Sequence, residues 1–140
     1  MSQSDTQSST AAETKPSFYD RIGGAEGVGR LVDRFYALMD ELPEAAACRA
    51  IHPASLEGSR QRLFEYLSYW LGGPQTYVEH RGHPMLRARH LHAPIGNDET
   101  VGWLLCFHRA WTETVTDPEL GKEILPSING LAMNMRNKEA

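Results

Sequence analysis

The chain has 140 residues, 41% of them hydrophobic and 23% charged, with a formal net charge of −4. That length suits one domain able to bury roughly two-thirds of its unfolded surface, and the acidic balance argues against a nucleic-acid or membrane-surface partner. No run approaches the roughly 18 apolar residues of a membrane span, and no basic start with an apolar stretch marks a secretory signal. Cys48 and Cys106 have neither metal-binding nor redox spacing, so reduced thiols and a cytoplasmic location are expected.

Residues 1–16 are polar, rich in Ser and Thr, and lack large apolar side chains. Such a segment buries too little surface to offset its ordering entropy, so a disordered tail is expected there and a folded domain over 17–140. Gly23-Gly24 permits a sharp junction between two helices. Val28, Leu31, Val32, Phe35, Leu38, Met39 and Leu42 then repeat at helical spacing, with Pro43 just past the end. Leu56, Leu63, Leu67, Trp70 and Leu71 form a second stripe, closed by the firm stop Gly72-Gly73-Pro74. His83-Pro84 starts a short basic turn ending at His90, and Pro94 cuts it off. A third helix is expected on Val101, Leu104, Leu105, His108, Trp111 and Val115, capped by Asn97 or Asp98. Asp117-Pro118-Glu119 begins a fourth, on Leu120, Ile124, Ile128, Leu131 and Met135, with Pro126 and Gly130 expected to kink or loosen it. No segment alternates with a period of two, so the class is all-α. Two helix pairs could sandwich a flat cofactor, but an empty four-helix bundle would show the same stripes.

Four histidines fall between residues 80 and 92: His80, His83, His90 and His92. One reading makes them solvated loop residues. A second is zinc, for which His80-x-x-His83 has workable spacing but no cysteine partner. A third is haem, which needs one axial nitrogen held at a fixed orientation. Arg87 and Arg89 could pair with its propionates. His90 and His92 lie about 200° apart on a helical wheel, so only one could face the iron.

Five blocks now bear on the choice: SFYDRIGG at 17–24, VDRFYALM at 32–39, YWLGGPQTY at 69–77, RGHPMLRARH at 81–90 and VGWLLCFH at 101–108. Together they resemble the group II truncated haemoglobins over about residues 17–137. The resemblance implies a two-over-two helical sandwich around haem b, iron protoporphyrin IX. It implies that His90 is the proximal iron ligand and that His92 is a loop residue. On the distal side it matches Tyr36 to a tyrosine whose hydroxyl points at bound ligand, and Trp103 to the indole that marks group II. His52, just before Pro53, falls at a variable aromatic or histidine position. Ser59 stands where animal globins carry a distal histidine. Leu63 is expected to pack over the ligand, and Arg62, Tyr77 and Arg89 to hold the propionates.

These residue types suit oxygen binding, and oxygen transport is the general role the resemblance implies. Dioxygen held at ferrous haem carries partial negative charge, and donors from Tyr36, Trp103 and His52 would slow its release. Tight holding suits redox chemistry on O2, NO or peroxide better than bulk delivery, and CO would bind as well. A histidine is a weaker electron donor than a thiolate, so monooxygenase chemistry of the thiolate kind is not expected. The main expectation is a haem protein binding diatomic ligands. The alternative is an enzyme, an NO dioxygenase or peroxidase, fed by an external reductase.

Overall fold

The computed structural model describes residues 16–91 and 93–137, so the expected tail lies almost wholly outside the described residues. The described residues form helices and no strand. Helix α1, Phe18–Ile22, is capped by Ser17, whose hydroxyl accepts the Asp20 amide at 3.0 Å. Gly23 and Gly24 both have left-handed backbone, with φ of 109° and 65°, which turns the chain at once into α2, Gly24–Glu41. The junction is tight: a Cβ on Gly27 would lie 1.9 Å from the Ile22 carbonyl oxygen.

Helix α2 buries Val28, Leu31, Val32, Phe35, Leu38 and Met39, the face expected from the sequence. A 3-10 turn at Pro43–Ala45 leads into the short α3, Ala46–Ala50. Helix α4, Glu57–Trp70, ends at Leu71 and Gly72, whose φ is 94°. Gly73 has no room for a side chain, because a Cβ there would lie 2.5 Å from the Tyr19 ring. Helix α5, Thr76–Arg81, stops at Gly82, and α6 is a single turn, Leu86–Arg89. Helices α7, Asn97–Thr114, and α8, Pro118–Asn134, complete the set.

Helix α2 packs chiefly on α7 and then on α4, while α7 also packs on α8. The pair α2–α4 thus lies over the pair α7–α8, a two-over-two sandwich. Phe35 and Phe107 sit at its centre, both buried, with ring centroids 5.9 Å apart. Two local expectations shift. Helix α7 is capped at Gly96, whose amide donates to Glu99 at 2.8 Å, because Glu99 reaches back to the helix start and leaves Asn97 inside it. Its buried face is Thr100, Cys106, Phe107, Ala110 and Trp111, whereas Val101 is 63% exposed. Close approach of Gly102 to Ala45 and Cys48 turns that face toward α3 and carries Val101 outward. Helix α8 runs unbroken through Pro126 and Gly130.

Candidate functional site

A cavity of about 480 Å³ opens between the two helix pairs, within the range of small-molecule and cofactor sites. Tyr36, His52, Ser59, Arg62, Leu63, Tyr77, Arg89, His90 and Trp103, the residues singled out in the sequence, all line it. His80 and His83 do not. His80 instead sits 3.7 Å from Glu65. The side chain of Arg87 and the whole of His92 lie outside the described residues. Among the described residues no three His, Cys, Asp or Glu side chains gather as a metal site, so the zinc alternative finds no ligand set there.

His90 follows α6 directly. Its main-chain amide donates to the Leu86 carbonyl at 3.1 Å, and its ring Nδ1 lies 2.6 Å from the same oxygen. A carbonyl only accepts, so Nδ1 carries the hydrogen and Nε2 keeps its lone pair. A metal-ligating histidine needs this arrangement, with one nitrogen fixed by a hydrogen bond and the other open. The turn before it is braced by Arg89, which donates to the carbonyls of Pro84 at 2.7 Å and His83 at 3.1 Å, and also to that of Arg81. Its guanidinium sits 6.0 Å from the centre of the Tyr77 ring. Arg81 in turn pairs with the buried Glu65 at 3.1 Å, tying α5 to α4. Burial pushes the Glu65 carboxyl up, but bonds from Gln61 and Arg81 outweigh it and hold it below the ordinary range.

Elsewhere in the cavity lining the Tyr36 hydroxyl donates to the Ser59 carbonyl at 3.2 Å. Burial pushes its pKa well up, so it stays a phenol. The His52 Nδ1 is 2.9 Å from the Cys48 carbonyl, which again places the hydrogen on Nδ1. Burial pulls the His52 pKa below the ordinary histidine value, so at neutral pH its Nε2 accepts rather than donates. The Trp103 indole stacks on Phe107 with centroids 5.2 Å apart and planes 11° from parallel, and it meets Phe35 edge-on at 5.0 Å. Its N–H makes no hydrogen bond among the described residues. Arg62 donates from the rim to the Ser59 hydroxyl at 3.4 Å.

Sequence reasoning missed several cavity residues. Cys48 lines the cavity, and burial raises its thiol to about 12, so it acts as an apolar wall rather than a nucleophile. Tyr66 lies 5.5 Å from Tyr77, and burial raises its phenol to about 12. Glu99 was legible as the third residue of α7 in a capping box. Asn137, outside the cavity lining, was not legible either: it bonds to residues 90–95 across the fold, and no local pattern announces that.

The donor set fits haem, with one oriented imidazole nitrogen, an apolar slot and cationic side chains at the rim. An all-α sandwich with such a slot and a histidine after a one-turn helix defines a globin of the two-over-two kind. The comparisons agree. A family model for bacterial-like globins matches residues 17–137. The structure of a group II 2-on-2 haemoglobin from Agrobacterium tumefaciens superposes with a TM-score of 0.89 at 50% identity, covering 92% of this chain and 99% of that one. A group 2 truncated haemoglobin of Bacillus subtilis strain 168 is 34% identical over 120 residues, 86% of this chain and 88% of its own. A truncated oxygen-avid haemoglobin structure, also from Bacillus subtilis, has a TM-score of 0.79 at 34% identity, covering 87% of this chain and 100% of that one. The chain belongs to the bacterial-like globin family and, within it, to the group II truncated haemoglobins. Membership implies haem-based binding of small gaseous ligands such as O2. No helix among the described residues is long and apolar enough to cross a membrane.

Proposed function

We propose that the cavity holds haem b through His90 and that the protein binds O2, NO and CO reversibly in the cytoplasm, with slow release of O2. The observation that carries this reading is the His90 Nδ1 bond to the Leu86 carbonyl, which leaves Nε2 as the free lone pair at the cavity. Haem held through His90 would supply an iron able to bind a diatomic ligand. Leu63 and Leu67 exclude water from the slot. Arg62 stands at the rim to meet a propionate, and Tyr77 lies beside Arg89, which is held more tightly by its carbonyls. On the distal side Trp103 offers an uncommitted N–H, Tyr36 a hydroxyl shared with Ser59, and His52 an acceptor nitrogen. A donor facing a partly charged ligand is worth about 1.5–3 kcal/mol, and each 1.4 kcal/mol is about tenfold in affinity. The similarity to a Bacillus subtilis haemoglobin described as oxygen-avid supports this reading. The test is the absorption spectrum of the purified protein before and after dithionite, with O2, CO and NO added in turn. A colourless preparation that takes up no added haemin overturns the reading.

A second reading is favoured by His52. A neutral imidazole with a free acceptor nitrogen can take a proton from hydrogen peroxide, as a peroxidase or NO-detoxifying enzyme with an external reductase would use it. Steady turnover of peroxide or of NO plus O2 with a chemical reductant, lost in His52→Ala, supports this reading. Turnover unchanged in that variant rejects it.

A further inference from the structure

We propose that Asn137, three residues beyond the end of α8, is a positioning residue that sets the orientation of His90 toward haem. It acts through the main chain between His90 and Ile95, and the inference rests on the haem reading above.

Helix α6 has only the residues Leu86–Arg89, and one turn does not hold itself in water. The His90 ring direction is set by the Leu86 carbonyl, which accepts both the His90 amide and its Nδ1–H. Arg89 braces the turn before the ring, but at its far end the helical bonding is spent: the Leu91 amide reaches the Ala88 carbonyl at only 3.3 Å.

Asn137 supplies what is missing. Its Nδ2 donates to the carbonyls of His90 at 3.2 Å and Ala93 at 2.9 Å. Its Oδ1 accepts the Ile95 amide at 2.9 Å, and its own amide donates to the Ile95 carbonyl at 2.8 Å. The amide orientation is dictated by these partners, since an N–H needs an oxygen opposite it and two carbonyls need an NH2. Asparagine combines both functions at this length. Aspartate keeps the acceptor and loses the donor, and alanine loses both. The strap is anchored as well, because the neighbouring Arg136 donates to the Asn97 side chain at 2.8 Å, in the first turn of α7.

A residue that merely closes the end of α8 would affect stability alone. A positioning residue also changes the bond that His90 makes. The experiment uses the holoprotein and compares Asn137→Asp and Asn137→Ala, both of which keep the main-chain pair with Ile95. Leu120→Ala is the control, a buried core position away from the cavity. Resonance Raman of the ferrous, ligand-free protein reads the iron–histidine stretching line. Transfer of haem to excess apomyoglobin reads its retention. Both Asn137 variants should shift or broaden the line and speed haem loss by about tenfold, the equivalent of one net hydrogen bond. Leu120→Ala should lower the melting temperature and leave the line in place. An unchanged line in both Asn137 variants, or an equal shift in Leu120→Ala, overturns the proposal. A wild-type protein that binds haem yet shows no iron–histidine line rejects His90 as the ligand and the proposal with it.

Discussion

Replacing Trp103 with Phe removes one donor. The phenyl ring keeps an aromatic face toward Phe107 and Phe35, and it loses the indole N–H together with the second ring, so the CO rate serves as the control for the added space. That N–H has no acceptor among the described residues, so its whole hydrogen bond is available to a ligand. A bond to a charged acceptor is worth about 1.5–3 kcal/mol, which corresponds to about 10- to 100-fold in release rate. Tyr36 differs. Its one hydroxyl proton is already given to the Ser59 carbonyl at 3.2 Å, and that bond must be surrendered before the ligand gains one. Subtracting a neutral bond of about 1 kcal/mol leaves roughly 1 kcal/mol, or about fivefold. Trp103→Phe should therefore speed O2 release by at least about tenfold, and Tyr36→Phe by about fivefold or less. CO carries less charge on its outer atom, so its release should change less in both. Stopped-flow displacement measures each rate. A larger effect from Tyr36→Phe than from Trp103→Phe would refute the argument, and equal changes for O2 and CO would point to steric access instead.

His90→Gly should lose haem on desalting and regain a normal absorption band with added imidazole, while His83→Ala, outside the cavity, keeps its band; the optical spectrum checks both. Glu65 has a folded pKa below its ordinary value, so its contribution to stability is present above the ordinary carboxylate range and is lost as pH falls through the folded pKa. Arg81→Ala should accordingly be less stable than wild type at neutral pH, with the gap closing on acidification, as followed by circular dichroism during chemical unfolding at a series of pH values. Gly27→Ala forces a methyl to 1.9 Å from the Ile22 carbonyl oxygen and should cost at least the roughly 1–3 kcal/mol of ordinary overpacking. Gly130→Ala, at an exposed position of α8, meets nothing within 4 Å and should stabilise the helix by up to about 1 kcal/mol, so the two variants should move the melting temperature in opposite directions.

The legible parts of the fold were those where one property dominates. Helix α2 repeats large aliphatic residues at helical spacing, and its buried face matches that stripe residue for residue from Val28 to Met39. Helix α7 carries apolar residues almost all round, so counting hydrophobes placed Val101 inside. Its orientation is decided by small residues, Gly102 against Ala45 and Cys48, which a hydrophobic pattern does not register. At the site, the residues were found through the resemblance, and the cavity gathers every one of them. What sequence could not give was the direction of each proton. Tyr36 and His52 were expected as donors to ligand, and both donor hydrogens are spent on main-chain carbonyls, those of Ser59 and Cys48. Those carbonyls come into reach only when α2, α3 and α4 have packed.

The two cavity histidines are oriented by the same local device. Each follows a short helix, α3 before His52 and α6 before His90. In both cases the imidazole turns back and gives Nδ1–H to the carbonyl four residues earlier, Cys48 for His52 and Leu86 for His90. Each of those carbonyls also accepts a main-chain amide, Ile51 at Cys48 and His90 at Leu86. The ring bond adds a second donor to the same oxygen and fixes the tautomer, leaving Nε2 as the free nitrogen. The surroundings then separate the roles. His52 is half-buried, and burial keeps it neutral, which suits a group that accepts a proton or a hydrogen bond. His90 is exposed, and its carbonyl is held by Asn137. A short helix is weak by itself, but in a chain this size it positions a ring with few residues, provided the rest of the fold supplies the support. Here the support comes from Arg89 on the carbonyls before the ring and from Asn137 on those after it.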